Sequence, residues 1–281
     1  MQHSLGWLLS LLRPEPVDDD RFCASSQDLG YPQLFGGQLM GQAIAAASQT
    51  LGELRPLHAF HCCFLRPGRI GEPLYYEVDR CRDGRGFTAR QVRALQRGRV
   101  LFQSFLSFHK PEQGLEHQRG DMPDVPPPEQ LVSAATHLGT SAFDTAALKA
   151  QAEGFPIEAR PVPAASDSRD PVSHIWLRAN GQLPDDPNVH QGLLAYASDY
   201  SLLATCLRAQ DSSALQSGLK VASLDHAMWF HRPLRMNEWL LHSMESPTAC
   251  GARGLVRGQV FTPDGVLVAS TVQEGLLRVH S

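Results

Sequence analysis

From residue 187 onward, apolar side chains recur on a helical period. Val189, Leu193, Tyr196, Tyr200 and Leu203 follow one another at spacings of four, three, four and three, which lays a single apolar stripe along a helix. Asp186 fits the N-cap and Pro187 the first helical position. The spacing therefore predicts one helix that starts at Pro187 and runs through Leu203. Asp199 stands in or beside that stripe. Its neighbours one turn away are Ala195, Tyr196, Leu202 and Leu203, with no Lys or Arg to pair with it. A carboxylate pressed on apolar surface is costly unless something specific satisfies it. Asp199 is thus either a helix-edge acid that reaches water or a buried functional one.

Before this helix the pattern changes twice. Leu5 to Leu12 is a short apolar run with Pro14 and Asp18-Asp19-Asp20 behind it. It reads as an amphipathic helix packed on the body, since no basic flank or small-residue cleavage site marks a signal peptide. A short strand is expected near Arg21-Phe-Cys-Ala24. Gly36-Gly37 reads as a turn, and the small-residue run Gln38 to Ser48 as a helix against which something packs closely. Strands follow at Phe60–Leu65, Pro73–Arg80, Phe87–Gln96 and Val100–Phe108, with turn chemistry at Arg82-Asp-Gly-Arg-Gly86 and Gln96-Arg-Gly98. Pro123 to Pro128 is a linker, and Glu129–His137 and Thr145–Ala152 read as short helices. Strand patterns return at Ile157–Pro161 and His174–Asn180. Past the Asp199 helix they recur at Asp225–Phe230, Trp239–Ser246, Ala252–Thr262 and Val266–Arg278, with a hairpin turn at Thr262-Pro-Asp-Gly265.

The two halves repeat. Phe64-Leu-Arg66-Pro67 matches Phe230-His-Arg232-Pro233, and Glu72 matches Glu238, both at one offset (232 − 66 = 238 − 72 = 166). Gly98-Arg-Val-Leu resembles Gly265-Val-Leu-Val more loosely. A helix followed by an antiparallel meander, twice over, is an α+β architecture. The expected units are residues 1–112, a linker over 113–155, and 156–281.

Bulk composition narrows the function. The chain has 281 residues, 42% hydrophobic and 19% charged, with a formal net charge of −4. These values fit a globular protein with a sizeable core, and no basic stripe points to nucleic acid. No apolar run approaches the roughly 20 residues of a membrane span. The six cysteines, with Cys62 and Cys63 adjacent, form neither a C-x-x-C pair nor a zinc spacing. They read as free thiols or apolar fillers in a reducing compartment, and the expected location is cytoplasmic. No metal or cofactor is expected.

Several longer stretches then resemble the acyl-CoA thioesterase II family. They are Leu224-Asp-His-Ala-Met-Trp-Phe-His-Arg-Pro233, Asn237-Glu-Trp-Leu-Leu241, Ala252-Arg-Gly-Leu-Val-Arg-Gly258 and Asp264-Gly-Val-Leu-Val-Ala-Ser-Thr-Val-Gln-Glu-Gly275. Leu34 to Gln38, Phe64 to Gly68 and Tyr196-Ala-Ser-Asp199 belong to the same pattern. The resemblance runs from about residue 15 to the C-terminus and is weakest between 113 and 155. It implies a double hotdog: two tandem hotdog units, their antiparallel sheets joined edge to edge, each wrapped on a long helix. It implies hydrolysis of acyl-CoA to free acid and coenzyme A. A homo-oligomer, dimer or tetramer, is expected. The family holds and activates water with an Asp, a Thr and a Gln, which carries catalytic roles to Asp199, Ser223 and Gln273. Ser223 departs from the family's Thr; it keeps the hydroxyl and loses the methyl that stiffens χ1.

The residues fit that chemistry independently. A thioester carbonyl is electrophilic and its thiolate leaves readily, so water needs a base and a fixed position but no metal. Burial should raise the pKa of Asp199, and hydrogen bonds from Ser223 and Gln273 should lower it. Gln273 can donate and accept, and so could orient the water. Leu267, Ala269, Thr271 and Gln273 share one strand face by the period of two. Other readings are weaker. His58, His61, His226 and His231, at corresponding strand starts, read as polar strand-end or CoA-facing residues. Asp225-His226 invites comparison with hotdog enoyl-CoA hydratases, but there the Asp and His are not adjacent. No Gly-x-Ser-x-Gly elbow is present. A non-catalytic acyl-CoA binding module is disfavoured by the retained Asp199 and Gln273.

Overall fold

The apolar run at the N-terminus folds as expected into α1 (Leu5–Leu12), with the Ser4 hydroxyl accepting the Trp7 N–H at 3.2 Å. The chain is described here from a computed structural model over residues 4–30, 32–133, 156–163, 169–210 and 218–279. An edge hairpin, β1 (Glu15–Asp18) and β2 (Arg21–Ala24), leads to α2 (Gly36–Gln49). The meander β3 (Leu57–Phe64), β4 (Leu74–Asp83), β5 (Phe87–Gln96) and β6 (Arg99–His109) completes the first half. The second half begins with β7 (Ile157–Pro161) and β8 (Val172–Ala179), followed by α3 (Pro187–Ser198) and α4 (Leu202–Leu207). It ends with β9 (Lys220–Ser223), β10 (Asp225–Phe230), β11 (Leu240–Cys250), β12 (Arg253–Phe261) and β13 (Leu267–Arg278).

Among the described residues, all thirteen strands join one antiparallel sheet, ordered β1-β2-β4-β5-β6-β3-β10-β13-β12-β11-β8-β7, with β9 alongside β13. The halves meet where β3 pairs β10. There His61 faces Ala227, Cys62 faces His226 and Phe60 faces Met228. Exchanging each residue for its counterpart 166 positions away maps this register onto itself, and His61 and Ala227 (227 − 61 = 166) are each other's counterparts. A pseudo-twofold axis therefore passes through that pair. α2 and α3 pack on each other beneath the sheet, and a continuous apolar core includes Met40, Ile44, Phe60, Phe102, Leu194, Met228 and Val256.

The repeated Phe-x-Arg-Pro stretch has a structural purpose. The N–H groups of Leu65 and Arg66 both donate to the Leu101 carbonyl, and those of His231 and Arg232 both donate to the Val268 carbonyl. Arg66 Nη1 then donates to the Val100 carbonyl at 2.7 Å and Arg232 Nη1 to the Leu267 carbonyl at 2.9 Å. Each set grips an irregularity in the ladder, between Ala94 and Leu95 in one half and Val260 and Phe261 in the other. The bulge turns Leu267 away from the face of Ala269, Thr271 and Gln273, which corrects the four-residue face expected from strict alternation. Leu267 instead packs with Trp176, Trp239, Leu241 and Phe261 in a second apolar cluster.

The described part of the linker covers that cluster. Met122, Val125 and Leu131 pack on it, and Trp176 Nε1 donates to the Pro126 carbonyl at 3.1 Å. Of the helix expected over Glu129–His137, the described residues hold only a 3₁₀ turn, Pro128–Gln130, after which Leu131 is extended; residues 134–137 lie outside the described residues. Arg160 Nη1 takes the Pro128 carbonyl at 2.6 Å and fixes the turn. The expected helix Thr145–Ala152 lies outside the described residues.

Candidate active site

The helix expected to run through Leu203 ends at Ser198. Ser198 Oγ lies 2.9 Å from the Ala195 carbonyl, and the N–H groups of Asp199 and Tyr200 both fold back to the Ala197 carbonyl. Asp199 is thus the C-cap of α3, with φ −75° and ψ −10°. A carboxylate is disfavoured at the negative end of its own helix. Here a second helix answers it: the first turn of α2, whose leading N–H groups have no intrahelical partner, abuts Asp199. The Gly37 N–H donates to Asp199 Oδ2 at 2.9 Å.

This contact explains the glycine pair, which is the opening of α2 and not a turn. A Cβ on Gly36 would lie 2.7 Å from Asp199 Oδ2 and 3.0 Å from the Phe64 ring, and one on Gly37 would lie 2.3 Å from the Tyr196 carbonyl. Only glycine allows the two helix ends to approach so closely. Around them Phe35 stacks on Tyr200, with centroids 5.3 Å apart, and meets Tyr196 edge-on at 5.2 Å.

The strands deliver the other two candidates. Gln273, on β13, is fully buried. Its amide nitrogen donates to Asp199 Oδ1 at 2.9 Å and to Ser223 Oγ at 2.7 Å. Ser223 ends β9 opposite Gly275, and so shares the inward face of Gln273. The three expected residues therefore meet at one point. Gln273 differs in detail from the expectation: both its donors are spent on Asp199 and Ser223, and those two side chains are half-buried where Gln273 is not exposed at all.

Asp199 keeps part of its surface open while dense packing surrounds it. Burial raises its pKa from 3.8 to about 6, against the opposing pull of the Gln273 amide, the Gly37 N–H and the Ser223 hydroxyl. It is mostly ionised at neutral pH and close enough to it to exchange a proton. Cys62 lies in the same neighbourhood; burial, then the charge of Asp199, pushes its thiol well up and keeps it inert.

The histidines separate. His58 contacts Ser107 Oγ at 2.7 Å and His231 contacts Ser270 Oγ at 2.8 Å, outside this site. His61 is exposed, 3.7 Å from the Asp225 carboxylate. His226 contradicts the strand-end reading, being wholly buried. Strand alternation puts Asp225 and His226 on opposite faces, so they form no hydratase-like pair. Asp225 accepts the Glu274 N–H at 2.8 Å instead.

The symmetry-related position in the first half carries no such chemistry. α2 and α3 cross at Gly41 and Gly192, where a Cβ on either would approach the other's carbonyl at 3.4 and 3.9 Å. That offset (192 − 41 = 151) matches Asp199 with Ser48 and Gly37 with Asn188. The strand offsets match Ser223 with Leu57 (166) and Gln273 with Leu106 (167). Ser48 Oγ donates to its own helix at Ile44 at 2.8 Å, and the Asn188 N–H is capped by Asp186 at 2.9 Å.

Two helices back to back under one long antiparallel sheet, with an acid held between their ends, define a double hotdog protein with a candidate hydrolytic site. A model described as acyl-CoA thioesterase matches residues 149–276, and one for the acyl-CoA thioesterase N-terminal domain matches residues 26–109. Acyl-CoA thioesterase 2 of Haemophilus influenzae is 41% identical over 99% of both chains. Human acyl-coenzyme A thioesterase 8 is 36% identical over 96% of this chain and 88% of its own. The crystal structure of an acyl-CoA thioesterase II, TesB2 of Mycobacterium marinum, superposes with TM-score 0.81 at 35% identity, over 98% and 99% of the two chains. The chain belongs to the acyl-CoA thioesterase II family.

Proposed function

We propose that this protein hydrolyses acyl-CoA thioesters to free acid and coenzyme A by direct attack of water, with Asp199 as general base. One observation carries the assignment. A carboxylate is held at the meeting of two helix ends by Gln273 Nε2 and the Gly37 N–H, both at 2.9 Å, with its pKa raised to about 6. An ionised acid with that pKa takes a proton from water as the water attacks the carbonyl carbon. The Ser223 hydroxyl, fixed by Gln273, holds the water. The tetrahedral oxyanion is assigned to N–H groups at the start of α2, which carries donors without intrahelical partners beside the acid. Collapse of the intermediate expels the thiolate of coenzyme A.

The first half contributes Gly36, Gly37, Phe35 and Phe64 and has Ser48 where the second half has Asp199, which supports one productive site per chain. Six free thiols, those of Cys63, Cys81 and Cys250 exposed, support a reducing, cytoplasmic setting. Phe105 and Trp229, half-exposed on the outer sheet face, support a homo-oligomer.

The test is release of coenzyme A from acyl chains of C4 to C16 by the wild type and by Asp199→Asn. The wild type should turn over. Loss of a general base normally costs roughly 10²–10⁴-fold, so a correctly folded Asp199→Asn within about threefold of wild type would remove Asp199 from this role.

A further inference from the structure

His226 is fully buried on β10, its ring parallel to that of Phe60 with centroids 6.1 Å apart. Its Nε2 lies 3.2 Å from Oγ of Ser198, the residue before Asp199. The β10–β13 ladder pairs Ala227 with Val272, and the next step of that register sets His226 directly across from Gln273 on the same inward face. Two buried polar atoms there lack any other partner: His226 Nδ1 and Gln273 Oε1. An amide has two ends. If the side chain of Gln273 turned over, its oxygen would face the Asp199 carboxylate and both donor bonds would be lost. Nothing in Asp199 or Ser223 prevents this by shape, because the amide oxygen and nitrogen are nearly the same size.

We propose that His226 is a positioning residue: as the Nδ1–H tautomer it donates to Gln273 Oε1, and so fixes the end of the amide that faces Asp199 and Ser223. This rests on the assignment of those residues to the site. Burial drives the ring's pKa down to about 3, with the Gln273 contact opposing it, so the ring is neutral and carries a single N–H. With Nδ1 protonated, Nε2 can only accept, so in this tautomer the single Ser198 hydroxyl proton turns to Nε2 at 3.2 Å and away from the Ala195 carbonyl 2.9 Å off. His242 and His61 are the other ionisable groups that act on His226; Cys62 pairs with His226 from β3 and feels the charge of Asp199, and Asp225 lies on the opposite face of β10.

The test combines nitrogen NMR of the wild-type ring with kinetics of His226→Phe and His226→Asn, each alone and with Gln273→Ala. The NMR should show the proton on Nδ1. His226→Phe keeps a ring on Phe60 but removes the donor. It should lower kcat about three- to tenfold, the worth of a hydrogen bond, with KM within about twofold. It should also move the acid limb of kcat upward, as Asp199 loses a donor. His226→Asn, whose amide nitrogen takes the place of Nδ1, should retain most of kcat and the wild-type limb. With Gln273→Ala present, His226→Phe should cost nothing further. A proton found on Nε2 overturns the proposal whether or not the variants fold. So does an equal loss in Phe and Asn, or a loss that persists undiminished without Gln273. Full activity in Asp199→Asn would instead overturn the site itself.

Discussion

Gly37 donates its backbone N–H to Asp199 Oδ2 at 2.9 Å across 162 residues of chain. The first residues of one half's helix thereby hold the last residue of the other's. The ion at the C-terminal end of α3 is stabilised by the positive end of α2, and the approach is possible because Gly36 and Gly37 have no side chains.

Substituting these glycines should therefore separate chemistry from stability. The Cβ of Gly36→Ala meets a carboxylate oxygen and a movable ring, so the carboxylate shifts; kcat should fall at least about tenfold, with a stability loss of roughly 1–3 kcal/mol. The Cβ of Gly37→Ala meets the Tyr196 backbone carbonyl at 2.3 Å. It must push the helices apart and should lower Tm more than Gly36→Ala does. Thermal unfolding and steady-state kinetics on both variants check the order.

Asp199 should link activity and stability with opposite signs. Its folded pKa, about 6, lies above the ordinary 3.8, so the folded state binds more protons between those values. Its stabilising contribution is present at low pH and is lost as pH rises through about 6. The same rise creates the base, so kcat should climb to a plateau above about pH 6. The two-unit shift bounds the stability change at roughly 3 kcal/mol. The difference in unfolding free energy between wild type and Asp199→Asn, followed by denaturant titration from pH 4 to 7, should fall as pH rises. A flat difference contradicts the raised pKa.

His226 and His242 work the other way. Burial lowers both to about 3, so the unfolded chain takes up their protons first as pH drops below about 6.5. Total stability should therefore decline from pH 6.5 towards 4, by up to ~1.4 kcal/mol per pH unit for each ring. Replacing His242 by Gln should flatten this slope while leaving the acid limb of kcat in place.

Ser223→Ala strands one N–H of the Gln273 amide. It should lower kcat several-fold or more with little change in KM, since holding water is not binding substrate. Ser223→Thr keeps the hydroxyl and restricts its rotamers, and should match or modestly exceed the wild type. Equal rates for wild type and Ser223→Ala would remove Ser223 from water positioning.

Titration with a non-hydrolysable acyl-CoA analogue should saturate at one equivalent per chain. Two equal productive sites would contradict the reading of Ser48, Leu57 and Leu106 as the remains of a second one.

Much of this was legible in the sequence where periodicity and boundary residues agreed. β10 spans Asp225–Phe230 as expected, and α3 starts at Pro187 behind an Asp186 cap. The meeting of Asp199, Ser223 and Gln273 came from resemblance to a family, since no local pattern ties residues 74 and 50 positions apart. What stayed hidden depends on partners distant in the chain. The apolar stripe continues past Ser198 because Tyr200 and Leu203 are also buried or half-buried, although the helix itself has stopped. β9 is two exposed and two half-buried residues with no period, paired only with β13. The placement of His226 across from Gln273 needs the β10–β13 register, and Gly36-Gly37 reads as a turn until a second helix is set against it.

The pairing of β3 with β10 in a single polypeptide has a further consequence. Two identical subunits joined across a true dyad must suffer every substitution twice, once in each site. Here the partners across the axis are encoded separately. A change to Ser48 leaves Asp199 untouched, and a change to Leu106 leaves Gln273 in place. Copies joined end to end are free of each other's constraints, so that a polar group gained or lost in one half need not be mirrored in the other.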